Sequence, residues 1–285
     1  MKNLFFVHGG PGLNSFAERC LLEPELLRRG IRTTFWDEPS ILRPTQNQAM
    51  IEPSYQAWIK ALEEEFIDFI DGIEDPANEG LILMAHSFGV FGALRLLERY
   101  EDTIQWLCLV SPSLWMVEAQ KNIFECAAKD YESISNESSE LLRKLARKTK
   151  GVFDPPSREA FDLALRDPQL FSHYFESDQR QLEWMECLSN PAFSFDERSF
   201  NGVLESFADE SQQLKKREVP IIVVFGEQDP IVSRKLEIET AREMTTKLYP
   251  LIIDSARHFP HLERIEVFLD KLEGIAIKNE SQEIR

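Results

Sequence analysis

Residues 81–89 read Leu-Ile-Leu-Met-Ala-His-Ser-Phe-Gly, an apolar run that passes directly into a small-His-Ser-x-Gly turn. Behind the turn, residues 90–99 carry a helical pattern. A buried strand, a sharp turn with a serine at its apex and a departing helix make the layout of a nucleophile elbow. The apex hydroxyl of Ser87 is then exposed at the end of a sheet. Strand and helix crowd such a turn, so its flanks must be small, and Ala85 and Gly89 meet that need. As a string, small-x-Ser-x-Gly is ordinary loop composition; the strand before it and the helix after it give it chemical weight.

Strands and helices alternate on both sides of this stretch. Residues 4–7, 31–36 and 104–110 read as further strands, and residues 19–29 have helical spacing despite Pro24. The clearest helix is 55–70, where Tyr55, Trp58, Ile59, Leu62, Phe66, Phe69 and Ile70 form one apolar stripe opposite Lys60, Glu63, Glu64 and Asp68, with Ser54 as its N-cap. The alternation predicts an α/β fold with a mostly parallel sheet covered by helices on both faces.

From 115 to 218 the pattern changes. No buried strand is apparent, helical stretches occur at 138–148, 158–166 and 178–188, and aromatic residues are dense. The sheet resumes at 219–225 and 247–253, a last helix follows at 265–272, and the polar end, 278–285, is expected to fray. The predicted organisation is a core of residues 1–114 and 219–285 around a helical cap of residues 115–218.

Composition narrows the function. The chain of 285 residues has 49 acidic against 32 basic side chains, a net charge of −17, which disfavours nucleic acid and anionic membrane surfaces as partners. No apolar run approaches the roughly 20 residues of a spanning helix. The opening Met-Lys-Asn-Leu-Phe-Phe-Val is too short an apolar core for a signal peptide, so a cytoplasmic location is expected. Cys20, Cys108, Cys126 and Cys187 show no Cys-x-x-Cys spacing, so neither a metal site nor a redox pair is predicted, and no cofactor is expected. A small-molecule substrate is the remaining class of partner.

Three further segments join Ser87. Gly226-Glu-Gln-Asp229-Pro-Ile-Val follows an apolar strand, which places the Asp229 carboxylate at the C-terminal edge of the sheet, where sites of open α/β folds gather. Taken alone, it is a turn aspartate before proline. Ser255-Ala-Arg-His258-Phe-Pro-His261-Leu-Glu263 follows the last strand. His258 is the preferred base because it comes sooner after the strand, behind a small-residue turn; His261 is the rival. The order Ser, Asp, His along the chain is that of α/β-hydrolases. In that set His258 takes the Ser87 proton and Asp229 holds the imidazole tautomer. The fourth segment, His8-Gly-Gly-Pro-Gly12, directly follows the first strand. Its glycines let backbone N–H groups approach a developing oxyanion, so Gly10 and Phe88 are the candidate oxyanion donors, with His8 bracing the loop. A phosphate cradle is disfavoured because the spacing fits neither Gly-x-Gly-x-x-Gly nor a P-loop.

On these motifs the chain resembles the α/β-hydrolase superfamily, and His8-Gly-Gly-Pro-Gly12 resembles the oxyanion motif of its proline iminopeptidase branch. The resemblance covers residues 1–114 and 219–275, and implies Ser87, Asp229 and His258 as the triad and a helical cap between. Iminopeptidases usually carry Gly-x-Ser-Trp-Gly-Gly at the nucleophile, where this chain has Ala85-His-Ser-Phe88-Gly89-Val90. They also carry Asp-x-Arg-Gly-x-Gly after the second strand, where this chain has Asp37-Glu-Pro-Ser-Ile-Leu.

Three function classes remain. The first is a serine hydrolase acting on an ester, thioester or activated amide of a small, largely apolar substrate. The second is an iminopeptidase-like aminopeptidase, and the third a weakly active or non-catalytic ligand-binding relative. Epoxide hydrolase and dehalogenase chemistry is disfavoured because it needs Asp at the elbow. The resemblance also implies two missing N-terminal strands and hence a six-stranded sheet. The strand 31–36 would then be an open edge, covered by the Pro-rich segment 38–53 or, alternatively, paired in a homodimer.

Overall fold

The computed structural model describes residues 3–39, 52–74, 80–189, 195–207 and 216–283. Six strands form one sheet: β1 (Asn3–Val7), β2 (Arg32–Trp36), β3 (Leu81–His86), β4 (Trp106–Val110), β5 (Ile221–Gly226) and β6 (Leu248–Ile253). Their order is β2-β1-β3-β4-β5-β6, and every neighbouring pair is parallel. This is the six-stranded α/β-hydrolase sheet that the sequence predicts. Strands β1, β3, β4 and β5 are buried along their whole length. A parallel strand covered on both faces reads as a continuous apolar run, which is why Leu-Ile-Leu-Met and Ile-Ile-Val-Val-Phe do not alternate with polar residues.

The period of two along each strand separates two cores. Phe5, Val7, Leu83, Leu109 and Val223 point to one, which α3 (Tyr55–Asp71), α4 (Val90–Tyr100) and α10 (Arg234–Met244) cover with Trp58, Leu62, Phe66, Leu97 and Ala241. Leu4, Phe6, Ile82, Cys108 and Val224 point to the other, covered by α1 (Phe16–Leu21), α2 (Glu23–Arg28) and α12 (Ile265–Glu283) through Ala17, Leu22, Leu26 and Phe268. The Ser54 hydroxyl accepts the Ala57 N–H at 3.2 Å and caps α3 as expected. The helix read across Pro24 is two short ones, with Pro24 in the first turn of α2, where no intrahelical N–H is lost. At the C-terminus, where fraying was expected, α12 continues to Glu283.

Between β4 and β5 the described residues form five α-helices: α5 (Met116–Tyr131), α6 (Asn136–Lys148), α7 (Pro155–Ala164), α8 (Asp178–Leu188) and α9 (Glu197–Glu205). Helix α5 escaped the periodicity reading because its buried face is built mostly from Ala119, Gln120, Cys126, Ala127 and Ala128, with Met116 and Phe124 as its large apolar side chains.

Among the described residues no strand lies outside β2. Residues 40–51 of the segment expected to cover it lie outside the described residues. Burial along β2 rises from exposed Arg32 to buried Phe35 and Trp36, and the Arg32 Nε–H donates to Asn3 Oδ1 at 3.1 Å. The opposite edge, β6, is blunted by Pro250 and by Lys271, whose ammonium donates to the Ile252 carbonyl at 2.7 Å. No helix of the described residues is long and apolar enough to cross a membrane.

The elbow is held against β1 by contact of backbone on backbone. A Cβ at Gly89 would lie 2.4 Å from the His8 carbonyl oxygen and 2.7 Å from that of Val7. Gly89→Ala is therefore expected to destabilise the fold by more than about 2 kcal/mol in urea unfolding. Gly274→Ala, in α12 with nothing within 4 Å of the new methyl, should instead stabilise it by up to about 1 kcal/mol.

Candidate active site

Strand β3 ends at His86, a single 3-10 turn spans Ser87–Gly89, and α4 leaves from Val90. Ser87 has φ +50°, the left-handed region that a residue with a Cβ adopts only under constraint. Its Oγ lies 3.1 Å from His258 Nε2 and 3.3 Å from Ser113 Oγ. On the other side of the imidazole, Nδ1 lies 3.0 Å from Asp229 Oδ2. A carboxylate can only accept, so Nδ1 carries the proton and Nε2 presents its lone pair to the Ser87 hydroxyl. This arrangement can pull a proton from the hydroxyl and stabilise the imidazolium that results.

Two loops put the acid and the imidazole in register. Strand β5 ends at Gly226, where a Cβ would stand 2.0 Å from the Arg257 carbonyl oxygen. The turn after β5 thus lies directly on the loop after β6. Asp229 Oδ1 accepts the Ile231 N–H at 2.8 Å, which leaves Oδ2 for His258. The His258 N–H donates to the Tyr174 carbonyl at 3.0 Å, and the His258 carbonyl accepts from His86 Nε2–H at 2.9 Å. The Tyr174 ring meets the imidazole edge to face at 5.2 Å. In α11 (Pro260–Glu263), Glu263 accepts the Arg257 N–H at 2.7 Å and, through its other oxygen, those of Glu176 and Ser177 at 2.5 and 3.2 Å. His261 is placed elsewhere: fully buried, 3.6 Å from Glu18 Oε1, with neither ring nitrogen hydrogen-bonded among the described residues.

The glycine loop runs beside the elbow. A Cβ on Gly9 would come within 2.6 Å of His86 Nδ1 and 3.1 Å of Ser87 Cβ, while Gly10 and Gly12 take φ of +70° and +75°. Gly10 and Phe88 border the same cavity as Ser87. His8 donates from Nδ1 to the Gly9 carbonyl at 2.9 Å and stacks on Trp36 at 5.3 Å. The sequence reading missed Glu38, the residue next to Asp37 at the end of β2. Its buried carboxylate accepts from the Gly12 N–H (3.0 Å), Trp58 Nε1–H (2.8 Å) and Ser199 Oγ–H (2.6 Å), joining the loop to α3 and α9. Burial pushes its pKa up, against the nearby His8 and these hydrogen bonds.

Ser87 and His258 open on a cavity of about 520 Å³. Its walls include Met116, Ile123, Phe161 and Trp184 from the helices between β4 and β5, and Leu13 and Phe259 from the sheet side. Gln120, Asn14 and Glu18 are among the polar residues that border it. Beneath Ser113, buried Glu237 of α10 accepts the Leu114 and Trp115 N–H groups at 3.2 Å each. Desolvation raises its pKa to about 8 in spite of them.

The model of the family described as serine aminopeptidase, S33 matches residues 24–265. No curated protein matches the chain significantly. Among solved structures, the chain is similar to a proline iminopeptidase-related protein from Thermus thermophilus, at 19% identity and TM-score 0.63, covering 96% of this chain and 88% of that one. It is also similar to the proline iminopeptidase of Mycobacterium smegmatis, at 14% identity and TM-score 0.62, covering 97% and 89%. A third likeness is to an esterase from Exiguobacterium antarcticum, at 14% identity and TM-score 0.60, covering 96% and 91%. At these identities the likeness is one of fold.

The raised Glu237 value has a thermodynamic consequence. A carboxyl that binds its proton more tightly when folded contributes stability that is present below pH 4.5 and is lost as pH rises towards 8. Glu237→Gln removes this dependence. The stability of the wild type relative to the variant should fall between pH 4.5 and 8, by up to about 5 kcal/mol, when both are unfolded in urea at each pH.

Proposed function

Starting from the serine aminopeptidase S33 hydrolase family, to which the chain belongs, we propose that this protein is a serine hydrolase of esters, thioesters or activated amides with a small, largely apolar acyl group. The observation that carries the reading is the unbroken hydrogen-bond chain Ser87–His258–Asp229 opening on an apolar cavity. Ser87 Oγ attacks the carbonyl carbon as His258 Nε2 takes its proton, and Asp229 holds the Nδ1–H and the charge that forms. The tetrahedral oxyanion is met by the Gly10 and Phe88 amides. On collapse, the His258 proton passes to the leaving group and an acyl-Ser87 remains. Water, deprotonated by the same imidazole, then releases the acid and restores Ser87.

The helices from 115 to 218 act in this reading as a cap over the core formed by 1–114 and 219–285. Supporting it, Met116, Phe161 and Trp184 share one cavity with Ser87. The description of the matched family favours a second reading, an aminopeptidase that accepts N-terminal residues. Against an iminopeptidase in particular stands the sequence after β2, where Pro39, Ser40 and Leu42 stand in place of that branch's Arg and two glycines.

Ser87→Ala is expected to abolish hydrolysis and labelling by a fluorophosphonate probe while shifting stability by about 1 kcal/mol or less. Substantial residual turnover in that variant rules the elbow assignment out. His258→Ala should lower kcat by at least about three orders of magnitude. His261→Ala, whose ring does not reach Ser87, should lower it far less.

Selectivity gives a separate test. On p-nitrophenyl esters of increasing chain length the wild type should show clear turnover, with little on prolyl-naphthylamide. Trp184→Ala, which enlarges the cavity wall, should move the preferred acyl chain to greater length. The reverse substrate ranking selects the aminopeptidase reading.

A further inference from the structure

Behind the elbow, three side chains from separate elements converge with several of their polar atoms unpaired. Glu18 comes from α1, His86 from the last position of β3 and His261 from α11. They are 3%, 2% and 0% exposed, and one donor atom from each lies within 4.8 Å of the others. Among the described residues, Glu18 Oε2, His86 Nδ1 and both nitrogens of His261 have no hydrogen-bond partner. The nearest approach, His261 Nε2 to Glu18 Oε1 at 3.6 Å, is too long for a hydrogen bond. Each such buried polar atom left unpaired is costly, so this much unused capacity at one point calls for an occupant.

We propose that Glu18, His86 and His261 form a zinc-binding site. Two imidazoles and one carboxylate are a donor set for Zn²⁺, whereas Ca²⁺ and Mg²⁺ prefer oxygen alone. The outer contacts are in place for it. His86 donates its Nε2–H to the His258 carbonyl at 2.9 Å, which fixes the tautomer and leaves Nδ1, beside Gly9, as the nitrogen free to bind an ion. The His261 ring is steadied by Phe6 and Phe259, each 5.9 Å away. Zinc–ligand distances of about 2.0–2.1 Å bring donors to about 3.4 Å from one another, so the three must draw together by rotation of Glu18 and a tilt of the imidazoles. Glu18 and His86 also border the substrate cavity, from which water can reach the open fourth position. The net charge of −17 raises the local concentration of cations.

The site joins α1, the end of β3 and α11, so its ion would clamp the loop carrying His258 to the strand that leads into Ser87. Its readout is therefore binding and stability. Full-length protein stripped with chelator and supplied with excess Mg²⁺ and Ca²⁺, to fill surface carboxylates, is titrated with Zn²⁺ by calorimetry, and its Tm is followed in parallel. One ion per chain and a rise in Tm are expected. Glu18→Gln, which preserves shape, and His261→Gln should each weaken Zn²⁺ binding by at least about tenfold and abolish the rise in Tm. Absence of stoichiometric binding in the wild type overturns the proposal. So does equal affinity in the folded Glu18→Gln variant, which would place the ion elsewhere and leave a buried water among these groups.

Discussion

The site depends on carbonyl oxygens packed where a side chain would have to be. Gly89 lies against the Val7 and His8 carbonyls, and Gly226 against those of Ala256 and Arg257. These two contacts bring the C-terminal ends of β1, β3, β5 and β6 within the reach of single side chains. Ser87, Asp229 and His258 come from three positions far apart in the chain, yet they meet at 3.0–3.1 Å. The left-handed backbone of Ser87 belongs to the same constraint, since the turn must reverse between β1 and the start of α4 without spreading the sheet.

Buried carboxylates fix the loops around this centre. Glu38 collects donors from the glycine loop, α3 and α9; Glu237 holds the chain after β4; Glu263 ties the His258 loop to residues 176 and 177. Each answers backbone N–H groups that secondary structure leaves unpaired, and burial raises the pKa of all three. The protein thus places carboxyl groups in low dielectric close to the site, with burial favouring their protonated forms, without using them on the reacting atoms.

The difference between what the sequence reveals and what it hides follows from the range of the interactions. The central strands, the elbow and α3 are legible because each is written in consecutive residues: a continuous apolar run, a small-residue turn, a stripe of period 3.6. Ser87, Asp229 and His258 are legible because each follows directly on such a strand. Glu38, Glu237 and Glu18 are not, because in a chain with 49 acidic residues a buried carboxylate looks like a surface one until its remote partners are known. Glu263 stands in the same short stretch as His258, five residues further on, but its partners at 176 and 177 are remote in the chain. Helix α5 was hidden by the small residues of its buried face, which carry little hydrophobic signal.

The attachment of residues 174–177 has a mechanical meaning. The His258 N–H is bound to the Tyr174 carbonyl, and Glu263 grips the Glu176 and Ser177 amides while also holding Arg257. The stretch that leads into α8 is therefore riveted to the loop that presents the imidazole. A displacement of this stretch pulls on His258 directly, so under the proposed function a gate hinged here would open the cavity and disarm the base in one stroke. A gate that leaves the base armed must hinge elsewhere along the helices between β4 and β5, with residues 174–177 as its fixed post.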